Sequence, residues 1–343
     1  MRVGLLTGGG DCPGLNAVIR GVVRRGLADP ANEFVGFRYG WAGVLANNSL
    51  PLTLESTSGL LPRGGTILGT SRTNPFADGA DGVAAVRAAI EQAGVDVLVP
   101  IGGEDTLGVA LRLSQAGIPV VGVPKTIDND LGGTDFTFGF QTAVQIATDA
   151  IDRLHTTAES HNRIMVLEVM GRHAGWIATY SGMAGGADAI LVPELPFDIA
   201  ELCARLRRRH DRGRTFSIVV VAEGATPRGG GLSTTAKGTD AFGHERLGGI
   251  GAALADEVER ITGFETRVTV LGHVQRGGTP CAYDRVLATR FGVAAMDAVS
   301  AGHSGVMVAL HATEIVEVEL ADALREPKLL DPAFYASAEV FFG

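Results

Sequence analysis

The 343 residues are enough for two domains of ordinary size and exclude a single small module. Hydrophobic residues make up 45% and charged residues 20%, a composition that builds cores and excludes a disordered chain. With 29 basic against 38 acidic residues the net charge is −9, which argues against general nucleic-acid binding.

The chain opens on an apolar strand at 3–6, with no basic region and long apolar run ahead of a cleavage site, so no secretory signal is expected. The glycine turn 8–14 follows, and then a helix over 15–28 with apolar residues at Leu15, Val18, Ile19, Val22 and Val23. The stretch 60–81, with two prolines, Pro62 and Pro75, and two arginines, Arg63 and Arg72, reads as irregular and exposed. Strand, glycine pair and helix recur at 95–101, Gly102-Gly103 and 107–116, and a further strand at 118–123 leads into the polar loop 124–133. Strands are expected at 164–169, 189–192, 216–222, 267–271 and 306–310, with helices between them. Residues 205–212, the most basic run, have the period of a solvated helix face, and 228–243 reads as an exposed irregular segment. No apolar run approaches the roughly 18 residues of a membrane span. Cys12, Cys203 and Cys281 match neither a zinc site nor a disulfide framework, which suits a reducing cytoplasm. Strands alternating with helices predict an α/β fold with mainly parallel sheets, whose functional loops gather at the carboxyl ends of the strands.

Three of those loops carry chemistry-bearing residues. Gly8-Gly9-Gly10-Asp11-Cys12-Pro13-Gly14 has the form of a phosphate cradle at a helix start, although it fits neither the Walker A nor the dinucleotide fingerprint, and tight packing explains such glycines equally well. Glu104 and Asp105 follow Gly102-Gly103 and suit either Mg²⁺ or complementarity to the helix dipole. In Pro124-Lys125-Thr126-Ile127-Asp128-Asn129-Asp130 the two aspartates at i and i+2 point to one side of an extended or loosely turned backbone. A proton acceptor beside a metal-steering carboxylate would be built that way, and a plain turn made of Asx residues is the alternative. Lys125 and Thr126 add donors for phosphate oxygens. Downstream, Arg163, Arg172, Arg267, His273 and Arg276 form a set suited to a phosphomonoester, because arginine presents a planar fork of donors, although any one of them alone reads more readily as a surface ion-pair member.

Taken together, Gly9-Gly10-Asp11-Cys12-Pro13-Gly14-Leu15-Asn16, Gly102-Gly103-Glu104-Asp105-Thr106, the 124–130 stretch, Met170-Gly171-Arg172 and Gly272-His273-Val274-Gln275-Arg276-Gly277-Gly278 resemble the phosphofructokinases in identity and order, over roughly residues 1 to 310. The resemblance implies two Rossmann-like three-layer α/β/α domains, one of residues 1–139 and about 275–325 for the phosphoryl donor and Mg²⁺, the other of 140–274 and about 326–343 for fructose 6-phosphate. It implies transfer to the sugar's 1-hydroxyl in the cytoplasm by a homotetramer. Asp128 would be the general base, and Asp130 its electrostatic and metal-linked partner. Glu104 would stand at a position usually held by a Mg²⁺-associated aspartate. Thr126, Met170, Gly171 and Arg172 would contact substrate and transition state. Glu223, His273 and Arg276 would hold the sugar phosphate within one subunit, and Arg163 and Arg267 would reach into the neighbour's site. Gly9, Gly10, Arg72, Gly103 and Thr106 would line the donor site. Arg20 and Arg24 match basic effector-site residues, but His155 stands where an arginine is common, which implies weak nucleotide regulation.

The ATP-using members have glycine where this chain has Asp105. A carboxylate there crowds ATP's α-phosphate and tolerates pyrophosphate, which ends at that point. Two like charges about 4 Å apart at an effective dielectric near 20 repel by about 4 kcal/mol, nearly a thousandfold in affinity. Together with Lys125 this resembles the short, pyrophosphate-using actinobacterial type. The rival expectations are an ATP-dependent enzyme, another kinase with a similar glycine loop, and a catalytically silent sensor of phosphate metabolites.

Overall fold

The computed structural model describes residues 1–230, 232 and 249–342; most of the irregular stretch expected at 228–243 lies outside the described residues. The first part of the chain forms β1 (Arg2–Thr7), α1 (Leu15–Gly26), β2 (Glu33–Phe37), α2 (Trp41–Leu45), β3 (Ser49–Pro51) and α3 (Gly82–Ala93). β4 (Val97–Gly102), α4 (Glu104–Gln115), β5 (Val121–Pro124) and the long α5 (Phe140–His161) come next. They are followed by β6 (Ile164–Val169), α6 (Trp176–Ala184), β7 (Ala189–Leu191), α7 (Ile199–Asp211), β8 (Ser217–Ala222), α8 (Ile250–Thr262) and β9 (Thr266–Val270). The last elements are α9 (Ala282–Ala301), β10 (Val306–His311), β11 (Glu314–Glu319), α10 (Leu320–Ala323) and α11 (Pro332–Glu339).

The strands make a seven-stranded sheet in the order β11-β10-β5-β4-β1-β2-β3 and a four-stranded sheet in the order β7-β8-β6-β9. All neighbours are parallel except β10 with β11 and β2 with β3, so the α/β class with mainly parallel sheets holds. Strands β4, β6 and β8 are buried along their whole length, as mainly apolar strands covered on both faces must be, and the one buried carboxylate among them, Glu168 of β6, accepts from the Gly251 N–H. One apolar core runs from β1 and α1 through α5 to β6 and α6, joining the two sheets. α1 meets α9 closely because both carry glycine at the contact: a Cβ on Gly292 would lie 2.4 Å from the carbonyl of Val18.

Sequence reasoning misses three strands. β2 is short, β3 has three residues, and β11 is an edge strand whose Glu-Ile-Val-Glu-Val-Glu alternation was a readable signal. Two expectations need correction. Within 60–81, Leu60 and Leu68 are core residues at 2% and 0% exposure, and Leu68 fills the space left by the missing side chain of Gly36. The basic run on α7 is not wholly solvated, since Arg209 reaches in to Asp188 at 2.8 Å, where the carboxylate also accepts from the Ile218 N–H. Among the described residues no helix is long and apolar enough to cross a membrane.

Candidate active site

A cleft of about 540 Å³ opens where the carboxyl ends of the adjacent strands β5, β4 and β1 face those of β8, β6 and β9. Parallel sheets place their unsatisfied loops at that end.

The turn after β1 is held from within. The N–H of Gly8 donates to the Ile101 carbonyl and that of Gly9 to Ser71, each at 3.0 Å, while the Thr70 hydroxyl donates to the Gly9 carbonyl. The first turn of α1 is buried, with Asn16 bonded to the backbone at Arg63, Gly64 and Ile67. The helix start expected to cradle an anion is therefore closed, and Gly9 and Gly10 reach the cleft for another reason, which is close approach. A Cβ on Gly10 would sit 2.4 Å from Nη1 of Arg276, and Gly9 adopts φ 77 beside Lys125. The helix start that does open into the cleft belongs to α4. Gly103 caps it without a side chain, and Glu104, Asp105 and Thr106 of its first turn line the wall.

Lys125 follows β5 and is 3% exposed, its ammonium donating to the Gly10 carbonyl beneath the glycine turn. Burial pushes its pKa down, and nearby Cys12, Asp11 and Asp128 oppose that. The next five residues turn by way of Asn129, which takes φ 54 and is buried, so of the two expected backbones it is the turned one that brings Asp128 and Asp130 to the cleft. Asn129 Oδ1 accepts from the Thr137 N–H at 3.1 Å, and the Thr137 hydroxyl donates to the Thr126 carbonyl at 2.7 Å. The Thr126 hydroxyl accepts from the Asp128 N–H at 3.0 Å. Oδ1 of Asp128 is buried and has no hydrogen-bond partner among the described residues. Burial, then the charge of Asp130, pushes the Asp128 carboxyl up to about 7, opposed by Arg276 and Arg172.

On the facing side, β6 and β8 end side by side. The N–H of Glu223 donates to the Val169 carbonyl and that of Gly224 to Gly171. Gly224 is obligatory here, because a Cβ would lie 1.9 Å from the Arg172 carbonyl, and Gly171 adopts φ 137. Met170, Arg172 and Glu223 are thereby presented together, and burial raises the Glu223 pKa against the opposing charge of Arg172. His273 and Arg276 come from a 3-10 turn, Gly272–Arg276, beyond β9. Arg72 enters from the loop ahead of α3.

The cleft thus gathers the sequence-expected residues of both halves, with Gly171 shaping the backbone behind it. Arg163 and Arg267 lie elsewhere, at the amino-terminal end of the small sheet, where Arg163 pairs with Glu265 at 2.8 Å and Arg267 with Glu265 and Glu259. His173 also lines the cleft and was missed, although extending Met170-Gly171-Arg172 by one residue would have found it. His155 is bonded through Nε2 to the Gly185 carbonyl at 2.7 Å. Among the described residues no group of three His, Cys, Asp or Glu side chains could hold a metal alone. The carboxylates of Glu104 and Asp130 in the same cleft fit Mg²⁺, which takes one or two protein oxygens and completes its shell with water and phosphate.

The phosphofructokinase family model matches residues 2–299. The chain is 61% identical over 343 residues to the pyrophosphate–fructose 6-phosphate 1-phosphotransferase of Amycolatopsis methanolica, covering all of both chains. It is 56% identical over 339 residues to ATP-dependent 6-phosphofructokinase 3 of Streptomyces coelicolor, covering 99% of each. Among solved structures it resembles the T-state phosphofructokinase of Pichia pastoris, with TM-score 0.84 and 32% identity over 94% of this chain, and it spans 35% of that longer chain.

Proposed function

Since the chain belongs to the phosphofructokinase family, we infer that it transfers a phosphoryl group from pyrophosphate to the 1-hydroxyl of fructose 6-phosphate, giving fructose 1,6-bisphosphate and phosphate. Asp105 carries the choice of donor. It stands in the first turn of α4, on the wall of the cleft beside Gly103 and Thr106, where its charge opposes a longer polyphosphate chain. Buried Lys125 supplies the countercharge below the glycine turn.

The larger lobe, residues 1–139 and about 275–325, holds donor and metal, and residues 140–274 and about 326–343 hold the sugar phosphate. Asp128 accepts the proton of the 1-hydroxyl as that oxygen bonds to the terminal phosphorus and the bridging P–O bond breaks, releasing phosphate. Its orphaned Oδ1 and raised proton affinity suit that task near neutral pH. Arg172 and the Thr126 hydroxyl donate to the transferring group, where charge spreads over the equatorial oxygens. Glu223, His273 and Arg276 seat the sugar phosphate, with Met170 and Gly171 shaping the floor. Arg72 and the backbone at Gly9, Gly10 and Gly103 border the donor. Mg²⁺ held by Glu104 and Asp130 would neutralise charge on the phosphate oxygens. Arg163 and Arg267, placed away from the cleft of their own chain, serve a neighbouring subunit's cleft in a cytoplasmic homotetramer.

Initial rates with fructose 6-phosphate and Mg²⁺, supplied in parallel with pyrophosphate or ATP, test the assignment. Bisphosphate formed with pyrophosphate alone is the expected result. The ATP-dependent relative at 56% identity makes the opposite outcome the competing reading, and turnover with ATP only would establish it. Turnover with neither donor would favour the silent sensor.

A further inference from the structure

Beyond the cleft, the chain leaves the large sheet after α10 and crosses to the small lobe before α11, and on the way it runs directly behind the loop that carries Asp128 and Asp130. The N–H of Lys328 donates to the Asp130 carbonyl at 2.8 Å. Its ammonium donates to the carbonyls of Thr134, at 3.1 Å, and Asp135. It also faces the rings of Phe136 and Trp176 at 5.5 and 5.2 Å, and the Trp176 indole returns a hydrogen bond to the Lys328 carbonyl at 3.0 Å. Two residues on, the Leu330 N–H donates to Glu194, whose carboxylate also accepts from Gly175 at the start of α6. Gly132 is crowded from the same side, since a Cβ there would lie 2.7 Å from the Ala323 carbonyl and 2.9 Å from that of Glu326. From the other side Asp135 is fixed by β10, through its N–H to Leu310 and its carboxylate from the Ala312 N–H.

We propose that the crossing 324–331 is a clamp that sets the shape of the Asp128–Asp130 loop, with Lys328 as its positioning residue. One side chain binds three consecutive features of the loop's return, the Thr134 and Asp135 carbonyls and the Phe136 ring, while its own backbone holds the Asp130 carbonyl. The same residue is tied to α6 through Trp176, so the loop is held from the sugar lobe as well as from the sheet that bears it. Lys328 touches no reacting atom in this arrangement. It acts by fixing where the Asp128 carboxylate points, and an error of about 1 Å in such placement costs on the order of 100-fold in rate.

The clamp rests on the assignment of proton transfer to Asp128, and the two can fail separately. Lys328→Met, made in the full-length protein, is expected to lower kcat by roughly 10- to 100-fold while the KM values for fructose 6-phosphate and pyrophosphate stay within about twofold. Lys328→Arg, which keeps the cation and its donors over the two rings, is expected to recover most of that loss. Hydrogen exchange should quicken in 126–137 of the Met variant and stay unchanged in β1 and β4. A Met variant with wild-type kcat, or Met and Arg variants equally impaired with exchange raised throughout, would overturn the clamp. If Lys328→Met does not fold, Lys328→Gln is read by the same three measures. An active Asp128→Ser variant would remove the base assignment instead, whereas an inactive Asp128→Ser with a fully active Lys328→Met would remove only the clamp.

Discussion

Two turns of the large sheet look alike in sequence: a buried strand, two or three glycines, then a helix, once after β1 and once after β4. Their structures assign them different work. After β1 the N–H groups of Gly8 and Gly9 are bonded within the protein and the start of α1 is buried, so the glycines serve to let Arg276 and Lys125 come close. After β4 the start of α4 opens into the cleft and carries Glu104 and Asp105. Both turns thus reach the cleft, but of the two helix starts behind them only that of α4 is open to it. The acidic side chains on that side of the cleft come from α4 and from the loop after β5.

The proposed proton transfer lies on that loop, and the largest expected effect tests it there. Asp128→Ser should lower kcat by about 10³-fold with fructose 6-phosphate affinity little changed, as titration calorimetry beside steady-state rates would reveal. Turnover close to wild type would place the base elsewhere. Next comes the first turn: Gly10→Ala puts a Cβ against the guanidinium of Arg276, a flexible end that can swing aside. The fold should survive, and KM for fructose 6-phosphate should rise by about several-fold while KM for pyrophosphate moves less. If pyrophosphate is the substrate that suffers more, the turn after β1 holds the donor directly and does not merely border it.

The smallest effect is in pH. Only ionised Asp128 accepts a proton, so the forward rate should climb as pH rises through about 7. Asp130→Asn removes one of the charges that raise this pKa and leaves burial in place, so the midpoint should move to lower pH by about half a unit or more, measured against wild type with the same substrates. An unmoved midpoint would separate the two aspartates electrostatically.

Most of the cleft was legible because its residues sit in short motifs at strand ends, and a parallel sheet brings such ends together whatever lies between them. Asp128 and Asp130 could be read as a pair by their spacing, but Asn129 at φ 54 could not, since its conformation depends on hydrogen bonds to Thr137 and Asp135. The covered start of α1 was likewise invisible, being closed by 63–67, a stretch with no periodicity to read. Leu68 in the core and Arg209 paired with Asp188 depend on partners far away in sequence. Lys328 lies outside every motif, and only the crossing between lobes brings it to the loop of Asp128 and Asp130.

Whether Asp105 selects the donor is tested most directly by the ratio of kcat/KM for pyrophosphate to that for ATP, measured in the wild type and in Asp105→Gly. Removing the carboxylate should shift the ratio toward ATP by about 10- to 1000-fold, the upper end being the full repulsion of about 4 kcal/mol. An unchanged ratio, in an enzyme still folded and active, would contradict the account.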